Sequence, residues 1–260
     1  MDELQHGETV AIKVEGGRRK KLKRRVVQTA QREKAEPTTG EHFKPAVRQQ
    51  TSLLAPAERA CLNWLVGRLP SWVMPDHLTM LGFAAMGFAG ACYIMARLWP
   101  PFLLIVNLWL AINWFGDSLD GTLARARNKQ RPRYGFYVDH MADAFGTLFI
   151  VCGLALSGYM TGIVAMTLLV VYSLFSINVY LATYTLGTFK LSFWKFSPTE
   201  LRILIALGNL RAFFQPEAVV MGKSYLFYDV AAAAAIASMA VALMVSVARN
   251  TVDLYRAEKV

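Results

Sequence analysis

Asp117-Ser118-Leu119-Asp120-Gly121-Thr122-Leu123-Ala124-Arg125 is followed, after nine further residues, by Gly135, Asp139 and Asp143. Very apolar segments lie on either side of this stretch. On a helix, Asp117 and Asp120 are three apart and share a face, as do Asp139 and Asp143 at a spacing of four. Two such helix ends brought together present four carboxylates to one point. Clustered carboxylates repel one another unless cations sit between them, and hard oxygen ligands suit Mg²⁺, Mn²⁺ or Ca²⁺. Charges at membrane depth are costly and mark functional sites. The spacing therefore predicts a metal site inside a membrane protein.

The residues around the aspartates narrow the chemistry. Gly121 and Ala124 are small and let a ligand approach the backbone closely. Arg125 adds a planar fork that matches phosphate geometry. Together these parts point to divalent metals holding a phosphorylated substrate.

The pattern D-x2-D-G-x2-A-R-x9-G-x3-D-x3-D resembles the signature of the CDP-alcohol phosphotransferases (CDP-alcohol phosphatidyltransferases). Every fixed position is present, as Asp117, Asp120, Gly121, Ala124, Arg125, Gly135, Asp139 and Asp143. The likeness extends to the helical layout over roughly residues 55–250 and leaves out the first 50. It implies transfer of a phosphoalcohol group from a CDP-linked donor to an acceptor hydroxyl, with release of CMP. It also implies two divalent ions, Mg²⁺ or Mn²⁺, on Asp117, Asp120, Asp139 and Asp143. Asp143 is further expected to be the general base. Donor contacts are expected at Asp117, Gly121, Ala124, Arg125 and Thr79, although Asp76 and Thr79 also read as a plain cap pair at the start of the first span. Acceptor contacts are expected at Arg133, Glu200 and Arg202.

The chain has 260 residues, is 55% hydrophobic and carries a net charge of +10. Its long apolar runs indicate an all-α integral membrane protein. Six spans are expected, roughly 78–97, 101–119, 140–160, 162–188, 199–214 and 226–248. They form a catalytic domain over 76–260, preceded by an interfacial amphipathic helix within 51–75. That helix places Leu62, Leu65, Val66 and Leu69 on one stripe, with Glu58, Arg59, Asn63 and Arg68 off it. Arg125, Arg127, Lys129, Arg131 and Arg133 follow the second span, and the positive-inside rule puts their loop in the cytoplasm. Alternation then puts both termini and the active site there, in the cytoplasmic membrane if the source is bacterial.

Residues 1–50 are polar and carry a basic run from Arg18 to Arg25. They read as a disordered tail drawn to anionic lipid, with no cleavable signal peptide. Nothing aromatic or folded accompanies the run, so no nucleic-acid partner is expected. Membrane lipids and a second copy of the chain are. Cys61, Cys92 and Cys152 are an odd set without close spacing and read as small core residues. His140 reads as a histidine satisfied by solvent, and Asn178 as a mid-membrane hydrogen bond to a neighbouring helix. In the loop before the fifth span, Pro198 and Ser197 fit a helix start, while Glu200 and Arg202 equally suit the second substrate. A rival class is a transporter, because buried carboxylates also mark ion pathways. Against it, the aspartates cluster at one face and line no path.

Overall fold

Long apolar runs closed by Pro and Gly become long helices, and the described residues form little else. The structure, a computed structural model, describes residues 55–186 and 198–258. The basic tail, the Ser197 cap and the loop ahead of it lie outside those residues.

Among the described residues there are seven helices: α1 Ala55–Val66, α2 Pro75–Ala96, α3 Phe102–Ala126, α4 Pro132–Ser157, α5 Gly162–Leu186, α6 Pro198–Phe214 and α7 Phe227–Ala257. Pro75, Pro132 and Pro198 each stand at the first helical position, where the missing N–H has no role. Gly158, at φ 82, ends α4 in the left-handed conformation. Five helices, α2, α3, α4, α5 and α7, are long and apolar enough to cross a membrane. The sequence led to six. The difference is α6, which has 17 residues, fewer than the ~20 that hydrocarbon thickness asks of an upright helix.

A second departure from the all-helical expectation is a hairpin of β1 Glu217–Val220 and β2 Lys223–Leu226, paired antiparallel. Met221 and Gly222 form its two-residue turn at φ 50 and 80, the twist that suits a tight hairpin.

Packing centres on α2, which lies against both α3 and α4. Glycine makes these approaches close. A Cβ on Gly116 of α3 would lie 2.5 Å from the Leu78 carbonyl oxygen of α2, and one on Gly153 of α4 would lie 2.5 Å from that of Gly90. Any side chain there would push the backbones apart. The main core collects Ala89, Tyr93, Leu103, Val106, Ile150 and Leu154, all nearly inaccessible. A smaller cluster of Leu62, Val73, Leu78, Leu119 and Leu123 seats α1 beneath α2 and α3. Cys92 is buried as expected, but Cys61 and Cys152 are exposed, because each falls on an outward helix face.

Polar ties fix the remaining helices. Asn178 on α5 donates to the Ser246 hydroxyl on α7 at 2.8 Å, the interhelical bond its position called for. Asn209 on α6 accepts from the Tyr93 and Tyr228 hydroxyls and donates to Asn107 at 2.7 Å, joining α2, α3, α6 and α7. The backbone N–H of Thr161, in the α4–α5 turn, donates to Asp229 at the start of α7 at 2.7 Å. The start of α7 and the α4–α5 turn therefore share one end of the bundle. Arg202, early in α6, reaches Asp117 near the other end, so α6 runs the length between them.

Candidate active site

The signature aspartates sit where α3 finishes and α4 begins. α3 continues unbroken through Asp117, Asp120, Gly121 and Ala124 to Ala126, and α4 carries Asp139. Asp117, Asp120 and Asp139 line one cavity of about 590 Å³, together with Thr79, Gly121 and Ala124. Arg125 and Gly135 complete the signature residues on its wall. Asp120 lies within electrostatic range of both Asp117 and Asp139.

Asp120 and Asp117 are held from different helices. Thr79 of α2 donates its hydroxyl to Asp120 Oδ2 at 2.6 Å, and the Gly121 N–H donates to Oδ1 at 2.5 Å. Thr79 thus touches the site through Asp120, while Asp76 pairs with Arg131 across the cavity mouth. The cap pair read from the sequence is not formed. Arg202 of α6 donates to Asp117 Oδ2 at 2.5 Å and to Asn113 Oδ1 at 2.7 Å. Its remaining terminal nitrogen, Nη1, is buried with no hydrogen-bond partner among the described residues. A buried, unsatisfied guanidinium N–H on a cavity wall is a donor suited to an anion.

The other expected residues are placed differently. Asp143 lies one turn beyond Asp139 and is exposed, outside the cavity lining and within electrostatic range of Tyr172 and Tyr180 of α5. Arg133 is exposed and Glu200 half-buried, and neither lines the cavity. His140 is not satisfied by solvent: its Nδ1 is 2.7 Å from the Phe136 carbonyl, and the rings of Phe136 and Tyr180 cover it.

Reading the sequence missed three residues. Glu58 and Arg59 of α1, taken as the polar side of an interfacial helix, line the cavity. Arg127, read only as a basic loop residue, donates to the carbonyls of Leu69, Pro70, Ser71 and Val73. It ties the α1–α2 connection to the end of α3. No sequence signal marks such a contact, because the acceptors are backbone.

The donor set fits a hard divalent cation in kind, with three carboxylates from two helices facing one cavity. Among the described residues, no three His, Cys, Asp or Glu side chains are grouped closely enough to hold a metal as they stand. In this arrangement the counter-charge on Asp117 is the Arg202 guanidinium.

Residues 72–249 match the CDP-alcohol phosphatidyltransferase family, over more than half of the chain. The chain belongs to that family. It is similar to cholinephosphotransferase 1 of Gallus gallus, 33% identical over 108 residues that make up 39% of this chain and 32% of that protein. The Homo sapiens cholinephosphotransferase 1 is 27% identical over 114 residues, 41% of this chain and 27% of that protein. Archaetidylinositol phosphate synthase of Pyrococcus horikoshii is 30% identical over 86 residues, 33% of this chain and 43% of the synthase. The chain spans less than half the length of these relatives. The cavity lies among helices of which five are long and apolar enough to cross a membrane.

Proposed function

We propose that the chain is a phospholipid-forming transferase that moves a phosphoalcohol group from a CDP-linked donor to an acceptor hydroxyl and releases CMP. The observation that carries this reading is the convergence of Asp117, Asp120 and Asp139 on one cavity that Gly121, Ala124 and Arg125 also line. The names of the relatives, which are CDP-alcohol phosphotransferases, agree with it.

Asp117, Asp120 and Asp139 would hold two divalent ions, Mg²⁺ or Mn²⁺, with Asp143 at the far side of the set. Such ions supply positive charge at the donor's pyrophosphate and favour CMP as the leaving group. Arg125 holds donor phosphate with its planar fork. Gly121 and Ala124 leave room for the nucleotide, and Thr79 keeps Asp120 oriented through its hydroxyl. Arg202, with a spare N–H on the wall, suits the acceptor side together with Glu200 and Arg133. Asp143 takes the proton of the acceptor hydroxyl as its oxygen bonds to phosphorus and the bond to the CMP oxygen breaks.

In this reading the cavity, both termini and the basic α3–α4 loop face the cytoplasm, with α1 along that interface. α6 is the sixth crossing. Its run from the Asp117 end to the Asp229 end supports this, since α5 and α7 otherwise have no connection across the bilayer. Membrane lipid surrounds the outward helix faces, and two copies of the chain pair as a homodimer.

A CMP-release assay tests the activity on purified protein with Mg²⁺. One arm pairs CDP-choline or CDP-ethanolamine with diacylglycerol. The other pairs CDP-diacylglycerol with inositol phosphate, glycerol phosphate or serine. Release in one arm is expected, with the lipid product identified by mass. Release in neither, from folded protein, rejects the reading.

A further inference from the structure

The Glu58 carboxylate enters the α3–α6 seam from outside the family-matched residues. Its Oε1 accepts three hydrogen bonds, from the Trp114 indole N–H at 2.9 Å, the Thr199 hydroxyl at 2.8 Å and the Ser118 hydroxyl at 3.3 Å. Trp114 and Ser118 are one turn apart on α3 and flank Asp117. Thr199 is in the first turn of α6, three residues before Arg202, so the two share a face.

At the start of α6 two rungs join it to α3 side by side, while Asn107 ties the same helices further along, to Asn209 and the Ala206 carbonyl. One is Arg202 on Asn113 and Asp117. The other is Thr199 through Glu58 to Trp114 and Ser118. Only the first lies within the matched stretch, which begins at residue 72. The second needs α1, whose residues Glu58, Arg59 and Asn63 also form part of the cavity wall. Without Glu58, the indole N–H and the Thr199 hydroxyl lose their acceptor in a half-buried seam, and the first turn of α6 is held to α3 less firmly. Arg202, three residues on, would then be aimed less tightly at Asp117.

We infer that Glu58 is a positioning residue: it docks α1 as a wall of the cavity and holds the first turn of α6 against α3, so that Arg202 faces the acceptor side. This rests on the proposed transferase reading. Glu58 acts as a three-fold hydrogen-bond acceptor, so a glutamine, whose amide oxygen also accepts, replaces it, and an alanine does not.

The test uses the full chain in lipid nanodiscs with Mg²⁺, as wild type, Glu58→Ala, Glu58→Gln and Thr199→Val. Three quantities are read: CMP affinity by calorimetry, kcat and KM for the acceptor that gives most CMP release, and the rate of tryptic cutting after the exposed Arg68. Glu58→Ala is expected to raise acceptor KM about tenfold or more, the effect of unpairing partly buried donors. It should speed cutting after Arg68 and leave CMP affinity as in wild type. Thr199→Val should raise KM without faster cutting, because α1 keeps Trp114 and Ser118. Glu58→Gln should recover most of the alanine loss in both readouts. A glutamine variant as impaired as alanine, or a fall in CMP affinity parallel to the KM effect, overturns the inference. If the wild type releases no CMP at all, the transferase reading fails and the tryptic pattern still decides. Equal cutting of wild type and Glu58→Ala would then show that Glu58 does not dock α1.

Discussion

The helices α2, α3 and α4 and the pair α5 and α7 are all long and apolar, yet they are packed on different terms. In the most apolar window of each, 39%, 33% and 33% of α2, α3 and α4 is buried within the protein, against 6% for α5 and for α7. The first three meet through glycines at backbone contact, and the signature aspartates stand at their shared end. The other two present most of their surface outward and pack on each other, with the Asn178–Ser246 hydrogen bond between them. Hydrophobic sequence alone does not separate the two kinds. In a membrane, lipid and protein interior are equally apolar, so small residues and polar ties decide which faces meet. Precision is concentrated where the chemistry needs it.

The largest expected effect tests whether the α2–α4 block is built for metal. Excess chelator should abolish CMP release, and Mg²⁺ or Mn²⁺ should restore it. Asp120→Asn or Asp139→Asn should weaken metal binding measured by calorimetry, with helical content by circular dichroism unchanged. Full turnover in chelator would mean that the Arg202–Asp117 pair, rather than a metal, is the working state of the site.

Next comes Asp143, which stands at the border of the two regions, beyond the cavity and beside the tyrosines of α5. As the base, Asp143→Asn should lower kcat by roughly 10²–10⁴-fold while donor affinity stays near that of the wild type. Asp117→Asn should lose donor affinity as well. If both variants lose donor binding equally, Asp143 is first a metal ligand, and Glu200 becomes the candidate base.

The helices and the shared cavity of Asp117, Asp120 and Asp139 were legible beforehand, because helical spacing survives folding, whereas Asp143, at the same spacing from Asp139, lies outside that cavity. The role of Glu58 was hidden for a physical reason. A polar face on an amphipathic helix looks the same whether it meets water or a polar cavity. Arg127 was hidden because its partners are carbonyls, which every residue carries. The hairpin went unseen because its turn uses Met221 at positive φ in place of the Asn or Asp that announces such turns. For α6, 17 residues left its apolar run ambiguous, and Asn209 with its two tyrosine partners shows what holds so short a helix.

Packing itself is tested one step lower in magnitude. Gly116→Ala puts a methyl 2.5 Å from the Leu78 carbonyl oxygen and 2.7 Å from the Gly82 nitrogen, both backbone atoms that cannot rotate away. A loss of about 1–3 kcal/mol is expected in thermal or denaturant unfolding in detergent. Ala234→Leu, an addition on the exposed face of α7, should stay within about 0.5 kcal/mol. Equal losses at both positions would mean that the two regions do not differ in packing.

The smallest effect concerns the tie within the outer pair. Asn178 donates to Ser246, and both side chains lie among residues that otherwise meet lipid or one another. Replacing it by Val removes one interhelical bond and leaves a hydroxyl that can turn to a carbonyl of its own helix. Such bonds in membrane proteins are worth about 0.6 kcal/mol on average, because the separated helices find other partners. Asn178→Val should therefore lower unfolding stability by about that much and leave CMP release unchanged, since the bond lies outside the α2–α4 block. An effect on turnover would carry more information than one on stability. It would show that the α5–α7 pair sets the position of Asp143 through Tyr172 and Tyr180, and that the outer helices belong to the catalytic apparatus.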